Sequence, residues 1–216
     1  MANNRLTPEL LAELSRLSLL TEADIDTDDQ PEVSDWSGAK RGAFSGAQIA
    51  ERGYDVRSIA NWLVKRGREL GLKFSNMSLN KLVYFALERS LVERGVLLTS
   101  ARVEAWDHGP VFRELYQAFK GAGDQPIENL ASKFSIENRQ MVEAEDPIDA
   151  GDQELLEETL RRFGSQTAAQ LRAVSHQRGS PWHAVWHYRG KSNPGMEITP
   201  QIIYHCAGRP RYENEE

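Results

Sequence analysis

The sequence predicts a mainly α-helical domain, bundle-like in its packing, with a small antiparallel β element. Three observations carry this. Residues that start helices stand directly before apolar residues at three- and four-residue spacing at several points between Asp55 and Ile203. The segment opened by Ser78 is apolar on most sides, as a helix in the middle of a bundle must be. Only two stretches, Val96–Trp106 and Lys133–Ala144, are short and partly alternating in the manner of strands.

The elements follow in order. Thr7 caps and Pro8 starts a first helix whose stripe is Leu10, Leu11, Leu14 and Leu17, ending near Leu20. From Thr21 to Gly53 the composition turns to Asp, Ser, Gly and Gln, with the acidic run Asp24, Asp26, Asp28 and Asp29, which is the composition of a linker. Asp55 caps a helix that carries Val56, Ile59, Trp62 and Leu63 on one face and stops at Gly71. Ser78 opens the next, with Leu79, Leu82, Val83, Phe85, Leu87 and Leu91 around it and Asn80, Lys81, Tyr84 and Glu88 as its polar edge.

After Gly95 come Val96-Leu97-Leu98 and Arg102–Trp106 as brief extended segments. Asp107-His108-Gly109-Pro110 turns the chain, and Pro110 is expected at the first position of a helix bearing Val111, Phe112, Leu115 and Phe119. Lys133–Ala144 reads as a small hairpin turning at Glu137-Asn138. Asp152 is expected to cap a helix with Leu155, Leu156, Leu160 and Phe163 facing inward, its Glu residues early and Arg161 and Arg162 late, as the helix dipole favours. Thr167 and Gln170 have capping-box spacing, Gly179-Ser180-Pro181 breaks the helix they start, and Thr199-Pro200 begins the last one. The expected organisation is a helix plus flexible linker over 1–53, a domain over 54–207 and a polar tail over 208–216.

Composition narrows the function classes. At 216 residues with 40% hydrophobic and 27% charged side chains, the chain can bury a real core and is not wholesale disordered. A single cysteine, Cys206, leaves no internal disulfide and no thiolate metal site, so the reducing cytoplasm is the expected compartment. No run of about eighteen apolar residues exists, and charges interrupt the opening residues, so neither a membrane span nor a secretion signal is expected. The net charge of −6 opposes nucleic acid as a partner and would speed association with a basic protein.

Candidate chemistry is sparse. His183 and His187 are one helical turn apart and His176 is seven residues before the first, a spacing that invites a metal-dependent hydrolase. The Gly-Ser-Pro break separates them, however, and no Glu adjoins His183 as a zinc-protease motif requires. There is no Gly-x-Ser-x-Gly elbow, and Gly121-Ala122-Gly123 lacks the rest of a phosphate loop. What stands out is an aromatic set, Trp106, Tyr116 and Trp182, suited either to a core or to an interface with another protein.

Between about Tyr54 and Cys206 an ordered set of short motifs completes the reading. These are Asp55-Val56 with Ala60 and Leu63, then Leu79-Asn80-Lys81-Leu82-Val83-Tyr84, Glu104-Ala105-Trp106, Gly109-Pro110-Val111, Leu115-Tyr116, Leu171, Ser175-His176 and Pro181-Trp182. In this combination and order the chain resembles the SocA-like antitoxins, the Panacea domain. Asn80 stands where that family commonly has glutamine, and His108 where it has tyrosine. The resemblance implies a non-catalytic protein without metal or cofactor that neutralises a cognate toxin protein by direct binding. One branch of the family resembles a proteolytic adaptor, which implies the ClpXP protease as a second partner. The residues implied as partner-binding or family-defining are Lys81, Tyr84, Glu104, Trp106, His108, Gly109, Pro110, Tyr116, His176, Pro181 and Trp182.

Overall fold

The computed structural model describes residues 49–188 and 196–208. The expected leading helix, most of the linker and the tail beyond Gly208 lie outside the described residues. What is described is mainly helical, with three two-stranded β pairings.

Strand β1 (Ala50–Glu51) runs parallel to β2 (Val96–Leu97), with Ala50 opposite Val96. Strand pairing therefore starts ahead of Tyr54, where the sequence placed the domain boundary. The backbone bonds Ala50 N to Gly95 O (3.1 Å) and Arg52 N to Leu97 O (2.9 Å) hold this segment, and composition carries no trace of them.

Helix α1 (Val56–Glu69) is capped by Asp55, whose carboxylate accepts from the Arg57 amide at 2.9 Å. Val56, Ile59 and Leu63 are buried as their spacing predicts, while Trp62 is only partly buried. Helix α2 (Asn76–Arg94) begins almost a turn earlier than the sequence placed it. Ser75 is the cap and Ser78 its reciprocal partner: Ser78 N donates to Ser75 Oγ at 3.3 Å, and Ser75 N to Ser78 Oγ at 2.8 Å. A serine can fill either role of a capping box, and two serines three apart left the start ambiguous.

Strands β3 (Val103–Trp106) and β4 (Gly109–Phe112) form an antiparallel hairpin with Trp106 opposite Gly109 and Ala105 opposite Pro110. Pro110 is thus a strand residue, and the short helix α3 (Arg113–Ala118) starts three residues later than expected. The proline is tolerated because its nitrogen needs no partner there. Ala105, directly opposite, directs its own N–H away from β4 to Met196 O at 2.7 Å. A 3₁₀ turn (Lys120–Ala122) follows α3.

The expected second hairpin forms from β5 (Ser132–Ser135) and β6 (Gln140–Glu143), turning through residues 136–139. Buried Asn61 on α1 pins its base, donating to Ala131 O (2.8 Å) and Ala144 O (2.9 Å) and accepting from Ala131 N (2.8 Å).

Helix α4 (Ala150–Phe163) starts after Asp149, and Asp152 is not its cap. The Asp152 carboxylate is buried in the first turn between Arg52 (2.8 Å) and Arg94 (2.6 Å) and accepts from the Tyr54 hydroxyl (2.9 Å). A carboxylate taken out of water needs such partners more than a helix end needs a cap. The capping box of α5 (Ala168–Ser175) forms as expected. Helices α6 (Pro181–Trp186) and α7 (Pro200–Ala207) each begin with a proline behind a capping hydroxyl, Ser180 and Thr199.

Helix α2 is the centre of the packing. It lies against α1, α3, α4, α5 and α7 and against β2 and β4, and even the polar edge read from its sequence is buried: Asn80, Lys81, Tyr84 and Glu88. No described helix is long and apolar enough to cross a membrane.

Candidate functional site

The site grows from α2. Asn80 and Lys81 point to the outer edge of β4, where an unpaired strand edge leaves backbone groups without partners. Asn80 Oδ1 accepts from Phe112 N at 3.0 Å and Lys81 Nζ donates to Pro110 O at 2.8 Å, so two side chains stand in for a third strand. Asn76, one turn before Asn80, accepts from its amide at 2.9 Å and donates to Tyr116 O at 3.0 Å. This single helix face therefore ties down both the hairpin and α3.

The turn of the hairpin is gripped from the other side. Trp182 Nε1 donates to Trp106 O at 2.8 Å. His176, the residue closing α5, places Nε2 3.2 Å from Asp107 O and Nδ1 2.9 Å from Arg172 O, with its ring edge-on to Trp182 at 3.6 Å. Burial pulls the His176 pKa below its ordinary value, and the nearby Arg172 and Lys81 charges act in the same direction against the two carbonyls. Gly109 lets the layers close: its φ is +102°, and a Cβ there would meet Ser175 Oγ at 2.7 Å and Lys81 Cε at 2.8 Å.

Lys81 is wholly buried, and burial, reinforced by Arg172, brings its pKa down to about 7. Glu104 orients the exposed side of the hairpin. Its Oε2 accepts from Trp106 Nε1 at 2.8 Å and from Arg113 Nη2 at 3.1 Å. Burial alone would raise the Glu104 carboxyl, but these two hydrogen bonds and the Arg113 and Arg102 charges outweigh it and hold the pKa below the usual carboxylate range. Held in this way, the Trp106 ring meets Tyr116 edge-to-face at 5.0 Å.

Most of the residues singled out in the sequence converge here, but not in one role. Lys81, Gly109, Pro110, Pro181 and Trp182 are buried and build the support. Glu104, Trp106, Tyr116 and His176 are half-buried, and His108 is exposed at the tip beside Asp107. Lys81, Trp106, His108 and Tyr116 share the lining of a cavity of about 280 Å³, together with Asn76, Met77, Asn80 and Val111. Tyr84 is apart from it, buried edge-on to Phe85 at 5.8 Å. Sequence reasoning missed Asn76 and Arg172 and took Asn80 as a polar edge. Polar residues on a helix apolar all round were the available signal, because a buried polar group is almost always hydrogen-bonded.

Of the three histidines, His183 and His187 do approach, with ring centroids 4.5 Å apart, while His176 faces the two carbonyls. Among the described residues no group of three or more His, Cys, Asp or Glu side chains could hold a metal ion.

Fold and site together define a small helical domain built to grip and display a β-hairpin. Residues 79–183 match the family model described as antitoxin SocA-like, Panacea domain, a span that runs from α2 to the start of α6 and encloses this hairpin. The chain is also 35% identical over 150 residues, 69% of its length and 80% of the relative's, to a protein named antitoxin SocA from Caulobacter vibrioides (strain NA1000 / CB15N). The chain belongs to the SocA-like antitoxin family, the Panacea domain. No solved structure matches it.

Proposed function

We propose that this protein is an antitoxin that neutralises a cognate toxin protein in the cytoplasm by binding it directly, with no catalytic step. The observation that carries the reading is the half-exposed Trp106–Tyr116 pair, formed where a hairpin gripped by side chains of α2, α5 and α6 meets α3. Large aromatic side chains fixed in advance are what protein interfaces use as anchors, since little freedom is left to lose on binding. Family membership and the name of the Caulobacter relative support the same reading. The folded region from Ala50 to Ala207 is taken as the toxin-binding unit.

Co-expression with the product of the adjacent gene, followed by affinity purification and a growth assay, tests it. A stable complex and relief of toxicity, both lost in Trp106→Ala, are expected. No complex and no rescue would overturn the reading.

The sequence ahead of the folded region favours a second reading, a proteolytic adaptor. An apolar stripe at Leu10, Leu11, Leu14 and Leu17 is joined to the domain through a Ser-, Gly- and Asp-rich stretch, and two docking elements on one chain raise the effective concentration of one partner near the other. Deleting residues 1–48 would then abolish ClpXP-dependent toxin degradation while leaving toxin binding intact. Undiminished degradation refutes it.

A further inference from the structure

The cavity beside Trp106 has features that the toxin-binding reading alone does not use. It measures about 280 Å³, at or below the lower end of small-molecule sites (about 300–1,000 Å³) and suited to one large side chain. Its walls are Trp106 and Tyr116, with Met77 on α2 and Val111 on β4, and most of the surface it presents is apolar. The side-chain polar atoms that α2 brings to its lining are already engaged: Asn76 and Asn80 with each other, Tyr116 O and Phe112 N, and Lys81 Nζ with Pro110 O.

Charge argues about the occupant. The lining includes the carboxylates of Asp107 and Asp124 and the ammonium of Lys120, so charges of both signs stand there. Lys81 also lines the cavity, and its ammonium form would repel a second cation inserted beside it. A carboxylate would find that ammonium wholly covered by protein. An uncharged ring fits the walls, because a third aromatic side chain can add to the edge-to-face pair of Trp106 and Tyr116.

We propose that this cavity receives one aromatic side chain, Trp, Tyr or Phe, projecting from the toxin polypeptide, and that it is the anchor point of the complex. The inference rests on the toxin-binding reading and adds the chemistry of the contact.

Two arms of one experiment test it on the full chain. In the first, the Trp106 indole N–H resonance, assigned by its loss in Trp106→Phe, is followed during titration with N-acetyl-tryptophanamide and with N-acetyl-argininamide. Saturable binding of the aromatic amide, at least about tenfold tighter than the arginine amide, is expected from the mostly apolar lining and its aromatic pair. It should vanish in Met77→Trp, which fills the cavity. Should that variant lose its melting transition, Tyr116→Ser, which removes a wall, replaces it and is expected to weaken binding. No saturable shift, equal affinities or binding unaffected by the variants would overturn the inference.

In the second arm, Met77→Trp or its replacement is tested for co-purification with the product of the adjacent gene. Loss of the complex supports the anchor. An undiminished complex overturns it while the antitoxin reading stands. If the unmodified chain forms no complex, the antitoxin reading and the anchor it carries both fail, and the first arm still reports what the cavity binds.

Discussion

Lys81 Nζ lies 2.8 Å from the carbonyl oxygen of Pro110 on β4, joining the most enclosed cation among the described residues to the hairpin that displays Trp106. The bond explains how a proline strand keeps its place on α2, and it comes at an electrostatic cost. Burial lowers the Lys81 pKa from 10.5 to about 7, so the folded state binds fewer protons than the unfolded state between those values. Stability contributed at this position therefore rises as pH rises from about 7 to 10.5, and the penalty is full below the folded value. Urea unfolding of the unmodified chain and of Lys81→Met across this range isolates the contribution of the buried amine. The unmodified chain is expected to gain on the variant by a few kcal/mol, at about 1.4 kcal/mol per pKa unit. A constant difference would show that the amine stays charged in its site.

Gly109→Ala is expected to destabilise the domain by about 2 kcal/mol or more, because the residue has φ +102° and a methyl group would press on Ser175 and Lys81. Gly179→Ala is the control. Its φ is also positive, at +83°, but nothing lies within 4 Å of the added carbon, so it reports backbone strain alone. Chemical denaturation of both variants should give the larger loss for Gly109.

The two tryptophans of the site should separate stability from recognition. Trp182 is 5% exposed and bonded to Trp106 O, so Trp182→Ala is expected to cost about 3–5 kcal/mol. Trp106 is half-buried rather than a full core anchor, and Trp106→Ala should cost less in stability and more in toxin affinity. Melting temperature and pull-down yield measured on both variants check this. The reverse order would move recognition away from the hairpin.

Asn61→Ala removes three buried hydrogen bonds at once and strands Ala131 N and Ala144 O, while Ala131 O keeps the Ala144 amide at 2.9 Å. A buried polar group left alone costs about 1–3 kcal/mol, so a loss of at least about 2 kcal/mol is expected by denaturation. Faster hydrogen exchange at the Ala131 amide should accompany it.

The helical class, the all-round apolar character of α2, the β5–β6 hairpin and the Thr167–Gln170 capping box are governed by neighbours within about four residues. Spacing, caps and apolar periodicity were therefore enough to read them from the sequence. The ordered motifs likewise pointed to the family. Pro110 and Asp152 show where that reach ends. Each has a good local reason to start a helix, and each is claimed by distant partners: Pro110 by Ala105 and Lys81, Asp152 by Arg52, Arg94 and Tyr54. The site followed the same rule. The sequence by itself singled out Lys81 and the aromatic set Trp106, Tyr116 and Trp182 but passed over Asn76 and Arg172, and only the tertiary structure decided that Lys81 and Trp182 brace the hairpin while Trp106 and Tyr116 face a cavity. The physical reason is that burial and hydrogen-bond satisfaction are set by chains meeting across the fold, and local spacing contains neither.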